Sequence, residues 1–284
     1  MDGKTVLDVA SVAKMQRAVK AARVTGSSLR VVGTQSVERF TSPADEGTEL
    51  LSTRGLDWIE VSSRDFTVRV GSGVIPADLD AALRPLGLVW PVRRLEAPGT
   101  VGGLIASGRG TTIKPLDGPA RRWVLGTRLV DGTGQVLTVG GATVKNSVGY
   151  GLTHALWGSR GQLGAIVELT LRVRRRRPTD AETGASLPRQ ALDTAAALVR
   201  CENLAPGTAQ RAVDGMAGGM RAISSTDGLR AVGCYAERGA AEADTAALRA
   251  QGIEARVDPG EDAGNGPAAM ATARAALNPD GVFV

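Results

Sequence analysis

The sequence predicts an α+β fold, in which helices are combined with antiparallel hairpins. The first half of the chain reads as a helix, a short strand, a hairpin and a second helix, an order that does not repeat the strand–helix–strand unit of a doubly wound sheet. Glycine-rich stretches separate the apolar segments and mark turns at strand ends. Apolar residues make up 43% of the 284 residues, which is enough for a substantial packed core.

The elements of the first half follow from apolar periodicity and turn residues. Apolar residues at helical spacing predict a helix over Ser11–Val24, with Ser11 as its N-cap and Gly26 as its end. A short buried strand, Leu29–Gly33, comes next. Alternating apolar residues and turn signals then predict a hairpin with strands 57–61 and 66–70. A helix over 76–84 follows it, and a second hairpin has strands 123–130 and 136–139.

The stretch 142–178 joins a glycine-punctuated turn to an apolar alternation, Ile166–Val173, that predicts a strand. Four arginines, Arg174–Arg177, follow this strand, and we interpret them as a solvated strand end or an edge that faces a partner. Beyond residue 178, the pattern strand, helix, strand at 229–234, 240–250 and 253–257 is typical of a small ferredoxin-like half. We therefore expect a second, smaller α+β unit in the C-terminal part.

Composition excludes several partners. The formal net charge is +5, but the basic residues are spread along the chain. Aromatic residues amount to 3% of the chain, too few for a platform on which single-stranded nucleic acid stacks. Cys201 and Cys234 form neither a metal-ligand pattern nor a disulfide framework. With no apolar segment of signal-peptide or membrane-spanning type, we expect a cytoplasmic protein without nucleic-acid partners or direct membrane insertion.

His154 is the sole histidine of the chain. A metal site with two histidines is therefore impossible, and no cluster of acidic residues at ligand spacing replaces it. We interpret His154 as a structural or surface residue rather than a catalytic one. The sequence thus predicts no metal site, and it identifies no catalytic residue.

Glycine-rich passages are the candidate ligand-binding elements. They lie at Gly33–Ser36, Ala97–Gly108 and Gly158–Gly164, where bare backbone N–H groups can converge on an anion. Neither the dinucleotide fingerprint GxGxxG in a strand–helix unit nor the P-loop motif occurs. Arginines and a lysine flank the second passage, and this basic rim suits an anionic cofactor, a carboxylate substrate or solvent. A role of the glycines in packing alone remains open.

Residues 11–178 resemble the FAD-binding domain of the vanillyl-alcohol-oxidase superfamily, also called PCMH-type flavoproteins. Within it, they are most similar to the FAD-binding subunits of bacterial glycolate oxidases. The passages that carry the resemblance are RVVGTQS at 30–36, APGTVGGLIASG at 97–108, WVLGTRLVDGTG at 123–134 and VKNSVGYGLTHALWGSRGQLGAIVELTLRV at 144–173. The C-terminal AALNPDGVFV is similar to the closing segment of the family.

The resemblance implies a two-subdomain PCMH-type FAD-binding domain at residues 1–178. It further implies a short α+β cap domain on the substrate side at 179–284, whose C-terminal segment returns to the first domain. The FAD is expected to be noncovalent, since no histidine lies in the loops where the family attaches its flavin. The cofactor-binding residues that the resemblance implies are Gly33, Thr34, Gln35, Ser36, Pro98, Gly99, Thr100, Gly102, Gly103, Ala106, Ser107, Gly108, Lys145, Asn146, Gly149, Tyr150, Gly158, Ser159, Gly161, Leu163, Gly164, Ile166 and Val167.

The function that the resemblance implies is that of an FAD-binding oxidoreductase subunit in the oxidation of a 2-hydroxy acid such as glycolate. The expected partners are a homologous FAD-binding catalytic subunit and an iron–sulfur subunit, because this chain lacks the cysteines for a cluster. Through them the chain would be held at the inner face of the membrane. Two alternatives are a stand-alone FAD-dependent alcohol oxidase and a flavin-free structural subunit.

Overall fold

The fold was analysed in a computed structural model of the chain. The structure describes residues 6–34, 47–94, 99–108, 110–112, 117, 120–141, 153, 155–177, 180, 197–204, 208–216, 220–225, 229–258 and 267–284. Over these residues it is a mixed arrangement of helices and strands, which confirms the predicted combination of the two.

The chain opens with a helix packed on a small parallel sheet. The helix α1 spans Val12–Thr25, and the strands β1, β2 and β3 span Val6–Asp8, Leu29–Val32 and Glu49–Ser52. The order in the sheet is β1-β3-β2, with all strands parallel. The predicted caps are confirmed, because Ser11 Oγ accepts a hydrogen bond from Lys14 N and Gly26 ends α1 in the left-handed conformation. The sequence analysis missed β1 and β3.

A five-stranded antiparallel sheet forms the centre of the first half. Its strands are β4 (Ile59–Ser62), β5 (Thr67–Gly71), β9 (Val124–Val130), β10 (Val136–Gly140) and β11 (Ala165–Arg172), in the order β10-β9-β11-β5-β4. Both predicted hairpins and the strand after the third glycine passage are therefore confirmed. The strand β11 contributes Ile166 to one hydrophobic core and Val167 to another, so both faces of the sheet are covered near the start of β11.

Short elements connect these sheets. They are α2 (Pro76–Leu83), α3 (Val101–Ser107), β6 (Leu88–Val89), β7 (Val92–Arg94), β8 (Gly110–Thr112) and β12 (Arg174–Arg175). The helix α2 confirms a prediction. The second glycine passage, which we had interpreted as a loop, contains the helix α3, so that interpretation was wrong. Thr100 caps α3 by accepting a hydrogen bond from Gly103 N at 3.0 Å, and buried Val101, Leu104 and Ile105 share one helical face.

The C-terminal part contains four strands and three helices among the residues that the structure describes. They are β13 (Ala197–Leu204), β14 (Met220–Ser225), β15 (Leu229–Tyr235), β16 (Ala255–Asp258), α4 (Thr208–Asp214), α5 (Arg238–Ala250) and α6 (Pro267–Leu277). The sheet has the order β16-β13-β15-β14-β8-β7, so it extends across residue 178 through the pair Ser225–Thr112. The predicted strand–helix–strand pattern corresponds to β15, α5 and β16.

The last residues of the chain pack against its beginning. Leu29 N donates a hydrogen bond to Val282 O at 2.6 Å, and Val284 N donates to Leu29 O at 3.1 Å. The side chain of Asn278 is buried, and its amide donates to Gln162 O and Phe283 O at 3.1 and 2.8 Å. These contacts tie the C-terminal segment both to β2 and to the third glycine passage.

The interpretation of Arg174–Arg177 as a solvated or partner-facing edge was wrong for Arg174 and Arg176, whereas Arg175 is exposed. The Arg174 side chain is only 12% exposed and lies between two buried carboxylates, with 2.7 Å to Asp117 Oδ1 and 2.7 Å to Asp180 Oδ2. Arg176 pairs with Asp80. A run of like charges cannot reveal partners that are distant in sequence, such as Asp117. The hydrogen bond from Arg174, helped by the backbone N–H of Arg177, lowers the pKa of Asp180 to about 2 although burial opposes the shift.

Candidate cofactor-binding site

The three glycine passages meet at one open cleft. The predicted site residues that line it are Gly33, Gly102, Gly103, Ala106, Gly161, Gly164 and Ile166. The cleft lies beyond the carboxyl ends of β2 and β3, which the parallel arrangement brings to the same edge of the small sheet. Residues far apart in sequence are thus gathered around one space.

The first wall of the cleft is the end of β2 against α3. A Cβ atom added to Gly33 would lie 2.6 Å from Thr100 Oγ1 and 2.9 Å from Thr100 Cγ2, so the glycine permits the close approach of the two segments. Thr53, which follows β3, donates its backbone N–H to Val32 O at 2.9 Å. The backbone at the end of β2 is thereby fixed beside the cap of α3.

The second wall is formed by the turn after β5, where Ser72 contacts α3. Ser72 N donates a hydrogen bond to Val167 O at 3.1 Å, and Ser72 O accepts one from Gly102 N at 2.9 Å. A Cβ atom on Gly102 would lie 2.6 Å from the Ser72 Cβ atom. Gly102 therefore lets α3 approach this turn more closely than any other residue would allow.

The third wall is the glycine passage Gly158–Gly164, which lies beside the C-terminal end of α3. Gly158 N donates to Ile105 O at 2.9 Å and Arg160 N donates to Ala106 O at 2.7 Å, so this passage satisfies carbonyl groups at the end of α3. Gly108 ends the helix in the left-handed conformation. Gly164 adopts a φ of +145°, and a Cβ there would lie 2.7 Å from Val130 O.

Five residues that line the cleft were not predicted: Val31, Val32, Thr53, Ser72 and Arg160. Ser72 stands between two glycines in a turn that the sequence analysis treated only as the end of a hairpin, and that spacing was the available signal. Arg160 is exposed and has a φ of +55°, a conformation that is unfavourable for a residue with a side chain. Among the described residues that line the cleft, Arg160 carries a positive charge and none carries a negative one.

The other predicted site residues do not line the cleft or lie outside the described residues. Described but not lining it are Thr34, Gly99, Thr100, Ser107, Gly108, Gly158, Ser159, Leu163 and Val167. Several of these support the walls, as Thr100, Gly108 and Gly158 do. Outside the described residues lie Gln35, Ser36, Pro98, Lys145, Asn146, Gly149 and Tyr150, together with His154.

The described residues hold neither a metal-binding cluster nor a membrane-spanning helix. They contain no group of three His, Cys, Asp or Glu side chains placed to hold a metal ion. None of the helices within the described ranges is both long enough and apolar enough to cross a membrane.

Comparison with known proteins identifies the class of this domain. Residues 4–140 match the family described as FAD binding domain. The D-lactate dehydrogenase of Archaeoglobus fulgidus is 37% identical over 131 residues, which are 46% of this chain and 29% of that protein. The glycolate oxidase subunit GlcE of Escherichia coli K12 is 34% identical over 122 residues, which are 42% of this chain and 34% of that subunit. The alignments thus span about a third of the relatives' length or less.

A solved structure extends the similarity in fold. A variant of Phl p 4, described as a glucose dehydrogenase, superposes with a TM-score of 0.51 at 16% identity, over 89% of this chain and 51% of that chain. At this identity the match concerns the fold alone. Residues 4–140 are thus similar to the FAD binding domain family, and FAD is the cofactor that this match indicates.

Proposed function

We propose that this chain binds FAD noncovalently in the cleft and is the FAD-binding part of an oxidoreductase that acts on a 2-hydroxy acid. The observation that carries this proposal is the convergence of Gly33, Gly102–Gly103 and Gly161 on one space, within a chain whose residues 4–140 match FAD-binding domains. Close packing explains Gly33 and Gly102, but it does not explain Gly161, where a Cβ atom would meet no atom closer than 3.9 Å.

The residues of the cleft fit an anionic dinucleotide. Gly103 and Gly161 have no side chain to cover the backbone. Beside Gly161 there is open space, since a Cβ atom there would come no closer than 3.9 Å to a neighbouring atom. Bare backbone lets N–H groups approach phosphate oxygens. Arg160 supplies a positive charge, and the described lining contains no carboxylate that would repel a pyrophosphate.

The wider set of cofactor contacts is also part of the proposal. Thr34 follows Gly33 directly, and Gln35 and Ser36 continue the same passage. By resemblance, Lys145, Asn146, Gly149 and Tyr150 complete the site. Residues 1–178 would form the FAD-binding domain, and residues 179–284 a cap on the substrate side.

The substrate class rests on the relatives. A D-lactate dehydrogenase and a glycolate oxidase subunit are among the proteins that match, and lactate and glycolate both carry a hydroxyl group beside a carboxylate. A bound flavin supplies the acceptor for the hydride that leaves the hydroxyl-bearing carbon. The residues of this chain would hold and orient the cofactor, and no side chain is assigned as the base that removes the hydroxyl proton.

The proposed assembly follows from the same comparison. One relative is named as a subunit, and we propose that this chain works beside a homologous FAD-binding catalytic subunit and an iron–sulfur subunit. The iron–sulfur subunit would accept the electrons, since the described residues of this chain contain no group of side chains placed to hold a metal ion. We place the assembly in the cytoplasm, with attachment to the inner face of the membrane through the partners.

An anaerobic reduction experiment tests this function. The purified chain, loaded with FAD, is mixed with glycolate, D-lactate or a primary alcohol without a carboxylate, first alone and then with the co-purified partners, and flavin absorbance is followed. Bleaching by a 2-hydroxy acid supports the proposal. Bleaching only by the plain alcohol favours the stand-alone alcohol oxidase, and failure of the chain to take up FAD, alone or with partners, favours the flavin-free structural subunit.

A further inference from the structure

Ser72 is a buried hydroxyl group in the wall of the cleft that has no hydrogen-bond partner. Ser72 is 1% exposed. Its Oγ atom makes no hydrogen bond in the part of the chain that the structure describes. Buried hydroxyl groups in folded proteins are almost always paired. An orphan of this kind in the wall of a cleft points to a partner that arrives with a ligand.

The backbone of Ser72 is held in place by hydrogen bonds on both sides. Its N–H is bound to Val167 O of β11, and its carbonyl is bound to Gly102 N of α3. Gly102 presses against the Ser72 side chain so closely that even a methyl group there would collide with it. The backbone of the turn therefore cannot easily move, and Ser72 is one of the residues that line the cleft.

We infer that Ser72 is a further cofactor-binding residue of the cleft, whose hydroxyl hydrogen-bonds a polar atom of the bound FAD. The inference rests on the proposed function, since it takes FAD as the occupant of the cleft. It assigns a role to a position that the glycine-passage motifs do not include. It also explains why serine and not alanine occupies position 72, although the hydroxyl group has no partner without a ligand.

The test compares two buried hydroxyl groups that are both unpaired, one in the cleft and one outside it. Ser72→Ala removes the hydroxyl in the cleft. Thr245→Val removes the hydroxyl of Thr245, which is 4% exposed and also without a partner, but lies in α5 and not in the cleft. The dissociation constant of FAD is measured by flavin fluorescence for the full chain after removal of its flavin, and thermal unfolding of the FAD-free proteins is measured alongside.

Ser72→Ala is expected to weaken FAD binding about tenfold, the effect of one hydrogen bond, with unchanged or higher thermal stability without FAD. Thr245→Val is expected to leave FAD binding unchanged. If Ser72→Ala does not fold, Ser72→Cys keeps the shape with a much weaker hydrogen-bonding group and is expected to weaken binding in the same direction. FAD binding by Ser72→Ala or Ser72→Cys at wild-type strength would overturn the inference and leave the proposed function intact. A wild-type chain that binds no FAD would overturn both.

Discussion

Neighbouring glycines in α3 have different surroundings. A Cβ on Gly102 would lie 2.6 Å from Ser72 Cβ and 2.9 Å from Ser72 O, whereas a Cβ on Gly103 would meet only Thr100 Oγ1, at 3.1 Å. Gly102 is thus needed for the approach of α3 to the turn after β5. The packing demand on Gly103 is weaker, because its one tight contact is with the cap oxygen of α3, and its lack of a side chain also leaves space for a ligand.

We expect Gly102→Ala to lower the free energy of unfolding by about 1–3 kcal/mol, because the added methyl group overpacks a buried contact. Gly103→Ala is expected to keep or raise stability by up to about 1 kcal/mol, since alanine is the better helix former. Chemical denaturation of the two variants measures the difference. Equal stability losses would show that the close contact between α3 and Ser72 is not what requires Gly102.

Arg160 combines a strained backbone with a position at the cleft. Replacing it by glycine relieves the left-handed conformation, so Arg160→Gly is expected to raise the free energy of unfolding by about 1 kcal/mol. The same change removes a positive charge and is expected to weaken FAD binding and to reduce its dependence on salt. Arg160→Asn is the matched control, because asparagine tolerates this conformation and also lacks the charge. A variant that gains stability and keeps wild-type FAD affinity would contradict the role of the guanidinium group.

At the scale of elements, a buried charge network joins β12 to Asp117, which is distant in sequence, and to Asp180, which follows β12 closely. Arg174 donates to both oxygens of Asp117 and to both oxygens of Asp180, at 2.7–2.9 Å. The side chains of Asp117 and Asp180 are 1% and 0% exposed. Removing one partner of such a network leaves charge buried without compensation, which destabilises far more than loss of an exposed pair.

Asp180→Asn is expected to lower the free energy of unfolding by about 2–3 kcal/mol at neutral pH. The matched control is Asp280→Asn, which breaks the exposed pair of Arg23 and Asp280, with side chains 40% and 48% exposed, and is expected to cost less than about 1 kcal/mol. Urea denaturation measures both. Similar losses in the two variants would contradict a stabilising role of the buried network.

The pH dependence of stability provides a second readout of this network. The pKa of Asp180 is about 2 in the folded chain, against about 3.9 for an unfolded aspartate. Because the folded pKa is the lower one, the stabilisation is complete above about pH 4 and is lost as the pH falls towards 2. Between these values Asp180→Asn should lose less stability with acid than the wild-type chain does. Parallel stability curves would contradict the assigned pKa shift.

The sequence predicted some elements better than others for physical reasons. The helix α1 and the two hairpins were predictable because their periodicity and caps are local signals. The strand β3 was missed because its four residues show no apolar–polar alternation. Its neighbours in the sheet, β1 and β2, both pair with it in parallel, so no hairpin turn marks it in the sequence. The helix α3 was obscured by Gly102 and Gly103, which disfavour a helix, while burial of one face stabilises it here.

At the scale of the whole molecule, the candidate site depends on contacts between parts of the chain that sequence patterns treat separately. The glycine passages were recognisable, but their meeting at one cleft depends on the packing of β2, α3 and the third passage. Ser72 has only its place between two glycines as a signal, and Arg160 lies in the third passage without being a glycine, so packing is what reveals both as lining residues. The same applies to Asn278, whose amide joins the C-terminal segment to Gln162.

The central claim is that FAD occupies the cleft bounded by the glycine passages. Ala106 lines this cleft from the helix α3, so Ala106→Leu places a larger side chain there while keeping a residue that favours helices. The control is Ala21→Leu, at an exposed position of α1. Circular dichroism confirms that both variants fold.

The most direct measurement is a titration of FAD into the wild-type chain and these two variants, followed by flavin fluorescence. We predict that the wild-type chain and Ala21→Leu bind one FAD per chain with equal affinity. Ala106→Leu should bind at least ~100-fold more weakly, since steric exclusion removes several contacts together. Wild-type affinity in a folded Ala106→Leu variant, or no binding by the wild-type chain, would contradict the claim.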